Sequence, residues 1–174
     1  MGYTTDFDGS LKLSRPATVE QIEYINRFSG TRRMKRDVNK LIELYNGKHG
    51  LNGNYGIEGE FFCKDDGHSG QDGDASVLDH NKSSKTQPGL WCQWVLNEDG
   101  TELEWDGGEK FYSYIDWLKY MIEKFFKPWG IALNGEIKWQ GEENGDVGKI
   151  IVRDNKVSIA KIKYVETQED EEDA

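Results

Sequence analysis

The chain has 174 residues and a mass of 20.0 kDa, with 32 acidic and 22 basic side chains and a formal charge of −10. That length suits one domain able to bury roughly 70% of its unfolded surface, so neither a disulfide nor a metal is required for stability. No run approaches the ~18 apolar residues of a membrane span, the start MGYTTDFDGS lacks the character of a signal peptide, and the acidic balance disfavours nucleic acid and anionic membranes as partners.

Residues 3–13 alternate, with Tyr3, Thr5, Phe7, Gly9, Leu11 and Leu13 on one side, which predicts a strand with one buried face. Thr18 and Gln21 form a capping box that opens a helix carrying Val19, Ile22, Ile25 and Phe28, interrupted at Ser29-Gly30. Thr31 is placed to cap a second helix with Met34, Val38, Leu41, Ile42 and Tyr45 on one face, closed by Gly47. Residues 55–63 read as a strand weakened by Gly56 and Gly59, and 64–89 as a polar loop of unusual length.

All six tryptophans follow residue 89. Residues 90–96 (LWCQWVL) and 101–105 (TELEW) read as two strands joined by the turn 97–100. A helix is predicted over 109–127, with Phe111, Ile115, Leu118, Ile122 and Phe125 as its apolar stripe and Pro128 as its stop. Strands are expected over 131–139, 148–153 and 156–165, the last two joined by the hairpin turn Asp154-Asn155. The fold expected is α+β: a largely antiparallel sheet with helices on one face, a ferredoxin-like β-α-β-β-α-β core and a C-terminal hairpin. One domain would span 1–165, leaving 166–174 as a disordered acidic tail.

The charge is divided along the chain. Residues 166–173 hold six acids, so the remainder carries only −4, and residues 1–48 carry a net +3. The basic run Arg32, Arg33, Lys35 and Arg36, with Arg27 before it, could share a helical face and grip phosphate or acidic groups, or serve as an ordinary solvated face. Trp91 and Trp94 fall on opposite faces of their expected strand, so either both are core or one is an exposed stacking platform. Asp106 before Gly107-Gly108 would cap the following helix, and with Glu109 and Glu104 it could also form a carboxylate pair for acid–base work. His68, Asp72, Asp74, Asp79 and His80 offer oxygen and nitrogen ligands, but their spacing matches no metal template, and no metal or cofactor is inferred. Cys63 and Cys92 lack metal spacing and read as free thiols of a cytoplasmic protein.

Five strings carry a resemblance: MGYTTDF at 1–7, QPGLWCQW at 87–94, WDGGEKFYSYIDWL at 105–118, LNGEIKWQGE at 133–142 and DVGKIIVRDN at 146–155. Together they resemble a family of uncharacterised small phage and bacterial proteins, over about half of the chain. The resemblance implies a single α+β domain of phage origin and transfers no catalytic residue. With no nucleophile, phosphate-loop or metalloprotease string present, the reading favours a non-catalytic cytoplasmic binding protein that acts on a host protein. A nucleotide or small-ligand module built on Arg32–Arg36 and an exposed tryptophan is the alternative, and a hydrolase at Asp106 and Glu109 a weaker one.

Overall fold

The computed structural model describes residues 2–64 and 73–161. Three α-helices and eight strands form a mixed α+β fold: β1 (Asp6–Leu13), α1 (Val19–Ser29), β2 (Lys35–Arg36), α2 (Val38–Tyr45), β3 (Val77–Asp79), β4 (Trp94–Leu96), β5 (Glu102–Trp105), α3 (Tyr114–Met121), β6 (Leu133–Gln140), β7 (Val147–Arg153) and β8 (Lys156–Lys161). Six strands make one antiparallel sheet in the order β4-β5-β1-β6-β7-β8, and β2 pairs with β3 separately. Within the large sheet, β1, β4, β5 and β6 with α1 and α3 reproduce the split β-α-β-β-α-β arrangement, extended by the hairpin β7-β8. Among the described residues, no helix is long and apolar enough to cross a membrane.

Strand alternation decides which face is covered. Leu11 lies opposite Leu103, Leu13 opposite Leu133, Phe7 opposite Trp139 and Ile137 opposite Ile150, and all of these join one buried cluster. Ile25 and Phe28 of α1 and Trp117, Leu118 and Met121 of α3 pack into the same cluster, so both helices lie on that face. The opposite face carries Asp6, Asp8, Lys12, Lys138 and the ion pair of Lys149 with Glu136 at 3.4 Å.

The capping box forms as expected: Thr18 Oγ1 accepts from Gln21 N–H at 3.1 Å and Thr18 N–H donates to Gln21 Oε1 at 2.9 Å. Of the four apolar residues this helix carries, Ile25 and Phe28 are buried, whereas Val19 is 68% exposed. At the other end of α1, Asn26 and Ser29 reach the outer edge of β4. The Asn26 amide accepts from Leu96 N–H at 2.9 Å and donates to Leu96 O at 3.1 Å, and Ser29 Oγ donates to Trp94 O at 2.6 Å. These bonds satisfy backbone groups that an edge strand otherwise leaves open.

Three expectations are corrected. The second helix starts at Val38, capped by Asp37 Oδ1 on the N–H groups of Asn39 and Lys40, and it ends at Asn46 in the left-handed region at φ 50°. Thr31 instead donates to Arg27 O at 2.7 Å, behind the end of α1, and residues 32–36 are coil and the short strand β2. Residues 55–63 form turns rather than a strand, because Glu60 Oε1 takes the N–H groups of Ile57 and Glu58 at 2.7 Å each. Gly56 permits that turn: with φ at 79°, a Cβ there would stand 2.4 Å from Glu60 Oε1. The third helix begins at Ser113 rather than behind Asp106, because Lys110 and Ser113 are left-handed, at φ 58° and 57°. Phe111, expected on the helical stripe, instead plugs the core from this loop, edge-on to Trp94 and Phe7. After Met121 the helix widens into a π-helical turn, Ile122–Phe126, which brings the consecutive Phe125 and Phe126 both into the interior.

The described part of the 64–89 segment holds β3 and several side-chain-bonded turns. His68, Asp72 and the tail 166–174 lie outside the described residues. At the far hairpin, Asp154 and Asn155 adopt φ of 48° and 70°, the geometry of the expected two-residue turn.

Candidate functional site

The basic run divides into structural ions. Arg33 is 2% exposed and makes its hydrogen bonds to backbone carbonyls: Thr31 O at 3.2 Å, Glu60 O at 2.9 Å and Phe62 O. Its guanidinium lies 4.1 Å from the centre of the Phe28 ring. Arg36 is 3% exposed, donates to Ser76 Oγ at 2.8 Å and pairs with Asp74 at 3.3 Å above the Phe62 ring. Burial lowers both guanidinium pKa values below the ordinary arginine range. Arg32 donates to His80 O at 2.9 Å, Lys35 pairs with Glu58 at 3.4 Å, and Arg27 stays exposed on α1. The expected helical face of cations does not exist, because Lys35 and Arg36 lie in β2 and Arg32 in the coil before it.

Glu60 is the anion that sequence reasoning missed. It is 5% exposed and accepts from Ile57 N–H, Glu58 N–H, Thr86 Oγ1 at 2.9 Å and Ser84 Oγ at 3.2 Å. Burial alone would lift its pKa, but the hydrogen bonds from Glu58, Thr86 and Ile57 outweigh burial and hold the carboxyl below its ordinary value. Its signal in the sequence is weak: one of two acids in the glycine- and aromatic-rich string YGIEGEFFC.

Neither the thiols nor the carboxylates are arranged for reaction among the described residues. Burial pushes the Cys63 thiol up to about 11 and the Cys92 thiol up to about 12, the reverse of nucleophile activation. Asp106 turns back on its own loop, with Oδ1 accepting from Gly108 N–H at 2.8 Å. Partial desolvation raises its carboxyl, opposed by the N–H groups of Gly108 and Asp106, and Glu109 has no part in that shift. Glu109 is held by its backbone, its carbonyl accepting from Gln93 Nε2 at 2.9 Å. Asp74 is engaged by Arg36, Ser76 and Tyr45, and among the described residues no group of three or more metal-ligating side chains gathers.

Two concavities formed by described residues border these groups. One, of about 510 Å³, lies between α1 and residues 49–52 and is bordered by Glu20, Glu23, Arg27 and His49. Burial, then Lys64 and Arg27, lower the His49 pKa. The border of this concavity carries two acids, Glu20 and Glu23, against the single cation Arg27, and Tyr24 OH already donates to Phe61 O at 2.9 Å.

The second, of about 410 Å³, is a groove between residues 88–93 and the loop 109–113, with Pro88, Leu90, Trp91 and Tyr112 as its apolar lining. Gln93 fixes its two walls together. Its Oε1 accepts from Trp105 Nε1 at 3.2 Å while its Nε2 holds Glu109 O. Trp94 is fully buried, with its Nε1–H donating to Tyr114 O at 2.9 Å, so it is core. Trp91 precedes the strand and is half-buried in the groove, and Tyr112 is 53% exposed at its mouth. The structure therefore separates the two tryptophans as interior and surface, though not as two faces of one strand. Of the residues singled out from the sequence, it gathers Trp91 and Glu109 here and disperses the rest.

No family model, curated protein or solved structure matches the chain.

Proposed function

We propose that this chain is a non-catalytic binding protein whose contact surface is the groove between Trp91 and Tyr112, and that its partner is another protein. The observation that carries this reading is the groove itself. Half-buried Trp91 and exposed Tyr112 flank an apolar concavity, and aromatic anchors of this kind dominate protein interfaces. The absence of an activated thiol or coupled carboxylate pair among the described residues supports a binding role over catalysis. The engagement of Arg33 and Arg36 inside the fold supports a protein partner over a nucleotide, since the phosphate-binding cations of that alternative are already committed. The family resemblance adds a phage setting, and the partner class proposed is a host-cell protein.

The test is a photo-crosslinking residue placed at Tyr112 and, as a control, at Lys138 on the polar sheet face, in lysate of the host. One discrete adduct is expected from Tyr112 alone, lost when Trp91→Ala is added. Equal adducts from both positions, or none from Tyr112, would overturn the reading.

A further inference from the structure

The two edges of the large sheet differ. At β4, Asn26 and Ser29 take up backbone groups of Leu96 and Trp94. At β8, the last strand in the order β4-β5-β1-β6-β7-β8, no described residue bonds to the outer side. An edge left in that state is a template for another strand.

The hairpin decides which groups of β8 point outward. Asp154-Asn155 close β7 onto β8 as a two-residue turn, so Arg153 and Lys156 exchange hydrogen bonds. Ile151 with Ser158 and Lys149 with Ala160 repeat that exchange at every second position. The alternate residues Val157, Ile159 and Lys161 therefore aim their N–H and C=O groups away from the sheet. Their side chains fall on the helix-covered face. Val157 lies opposite buried Val152 and packs against the core, whereas Ile159 lies opposite buried Ile150 and is itself 48% exposed. The apolar layer thus runs out at Ile159, in the middle of the outward edge.

The pattern KVSIAK over 156–161 restricts what pairs there. Consider β8 against a second copy of itself, antiparallel and centred on Ile159. Ile159 then meets Ile159 of the partner subunit, and Val157 and Lys161 meet the partner's Lys161 and the partner's Val157. All three outward residues are engaged, with about six hydrogen bonds. Ser158 meets the partner's Ala160, small against small, and no lysine faces a lysine. Centring on Lys161 instead sets that lysine against itself, and like charges directly opposite are unfavourable. Centring on Ser158 sets Lys161 against the turn residue Asn155 and forfeits its pair. The lysines at the strand ends discourage general strand addition, while a copy of the strand matches charge, size and apolar position together.

We infer that β8 pairs antiparallel with β8 of a second copy about a two-fold axis at Ile159. The two six-stranded sheets join edge to edge, and each Ile159 is covered by the other. The strand is short and its contact falls below the roughly 1,200 Å² of stable interfaces, so the dimer is weak, with a dissociation constant on the order of 100 µM. The groove of residues 88–93 and 109–113 adjoins β4, so the pairing leaves the two grooves at opposite ends of the joined sheet. The dimer stands independently of what those grooves bind.

Sedimentation equilibrium of the full chain from about 10 to about 500 µM tests this. The wild-type chain is expected to pass from monomer toward dimer across that range. Ile159→Lys and Ile159→Glu are each expected to weaken association about tenfold, because like charges then face one another across the axis. An equimolar mixture of the two variants is expected to associate again, because opposite charges then face. That recovery also shows that neither variant is merely unfolded. A wild-type chain that stays monomeric at the top of the range would overturn the inference, whether the edge then serves the chain's own following residues or a strand of another protein. Undiminished association of Ile159→Lys alone, or a mixture that stays monomeric, would overturn it as well.

Discussion

Beneath the six-stranded sheet, Leu11, Leu103, Ile137 and Leu118 are sealed from water by other apolar groups. Around α2 the interior is different. Leu41, Tyr55 and Phe62 form a cluster of three buried residues, closed over by Arg36 and adjoined by Arg33 and Glu60. The first region is held by the area it removes from water, whereas the second has too little apolar surface and relies on ions saturated with hydrogen bonds. The two respond differently to truncation. A side chain lost from the sheet core leaves a cavity, but an ion lost from the satellite strands the groups it served.

The largest effect is expected at the join of the two regions. Arg33→Ala leaves the carbonyls of Thr31 and Phe62 unpaired, leaves Glu60 O with Gln87 Nε2 as its one side-chain donor, and uncovers Phe28, so a loss of about 2–4 kcal/mol in urea unfolding is expected. A loss under about 1 kcal/mol would show that the ion is dispensable and the contrast false. In the sheet core, Leu11→Ala is expected to cost about 2–4 kcal/mol by cavity formation, and its effect should add to that of a satellite variant such as Arg36→Ala.

Acid should separate the regions next. The Glu60 and Asp74 carboxyls both resist burial through hydrogen bonds and sit below their ordinary 4.5 and 3.8. Groups lowered on folding contribute stability that is complete above the unfolded value and fades as pH falls through the folded one. Stability is therefore expected to fall below about pH 4.5, with amide exchange rising around α2 before it rises in β1 or β6. Simultaneous exchange in both regions would remove the distinction. The smallest effect is expected on the polar face of the sheet, where Lys149→Ala breaks an exposed pair with Glu136 and should cost less than about 1 kcal/mol.

Elements with local causes were readable in advance. The Thr18–Gln21 capping box, the alternation of Phe7, Leu11 and Leu13, and the Asp154-Asn155 turn each depend on residues close in sequence. The satellite region was not readable, because its decisive partners are distant. Arg33 meets Glu60 O and Phe62 O, 27 and 29 residues on, and Arg36 meets Asp74 at a separation of 38. Helical spacing of Met34 and Val38 suited a helix equally well until those acceptors were placed. Trp91 was visible as a candidate from its neighbourhood.

The bonds from Asn26 and Ser29 to β4 have a consequence for assembly. A carboxamide that both accepts from Leu96 N–H and donates to Leu96 O copies the hydrogen bonding of a peptide group in a neighbouring strand. Asn26 therefore acts as a one-residue surrogate strand, ending the ladder where another chain could otherwise add to it. On this side Asn26 and Ser29 together close the edge of the sheet to the addition of another strand.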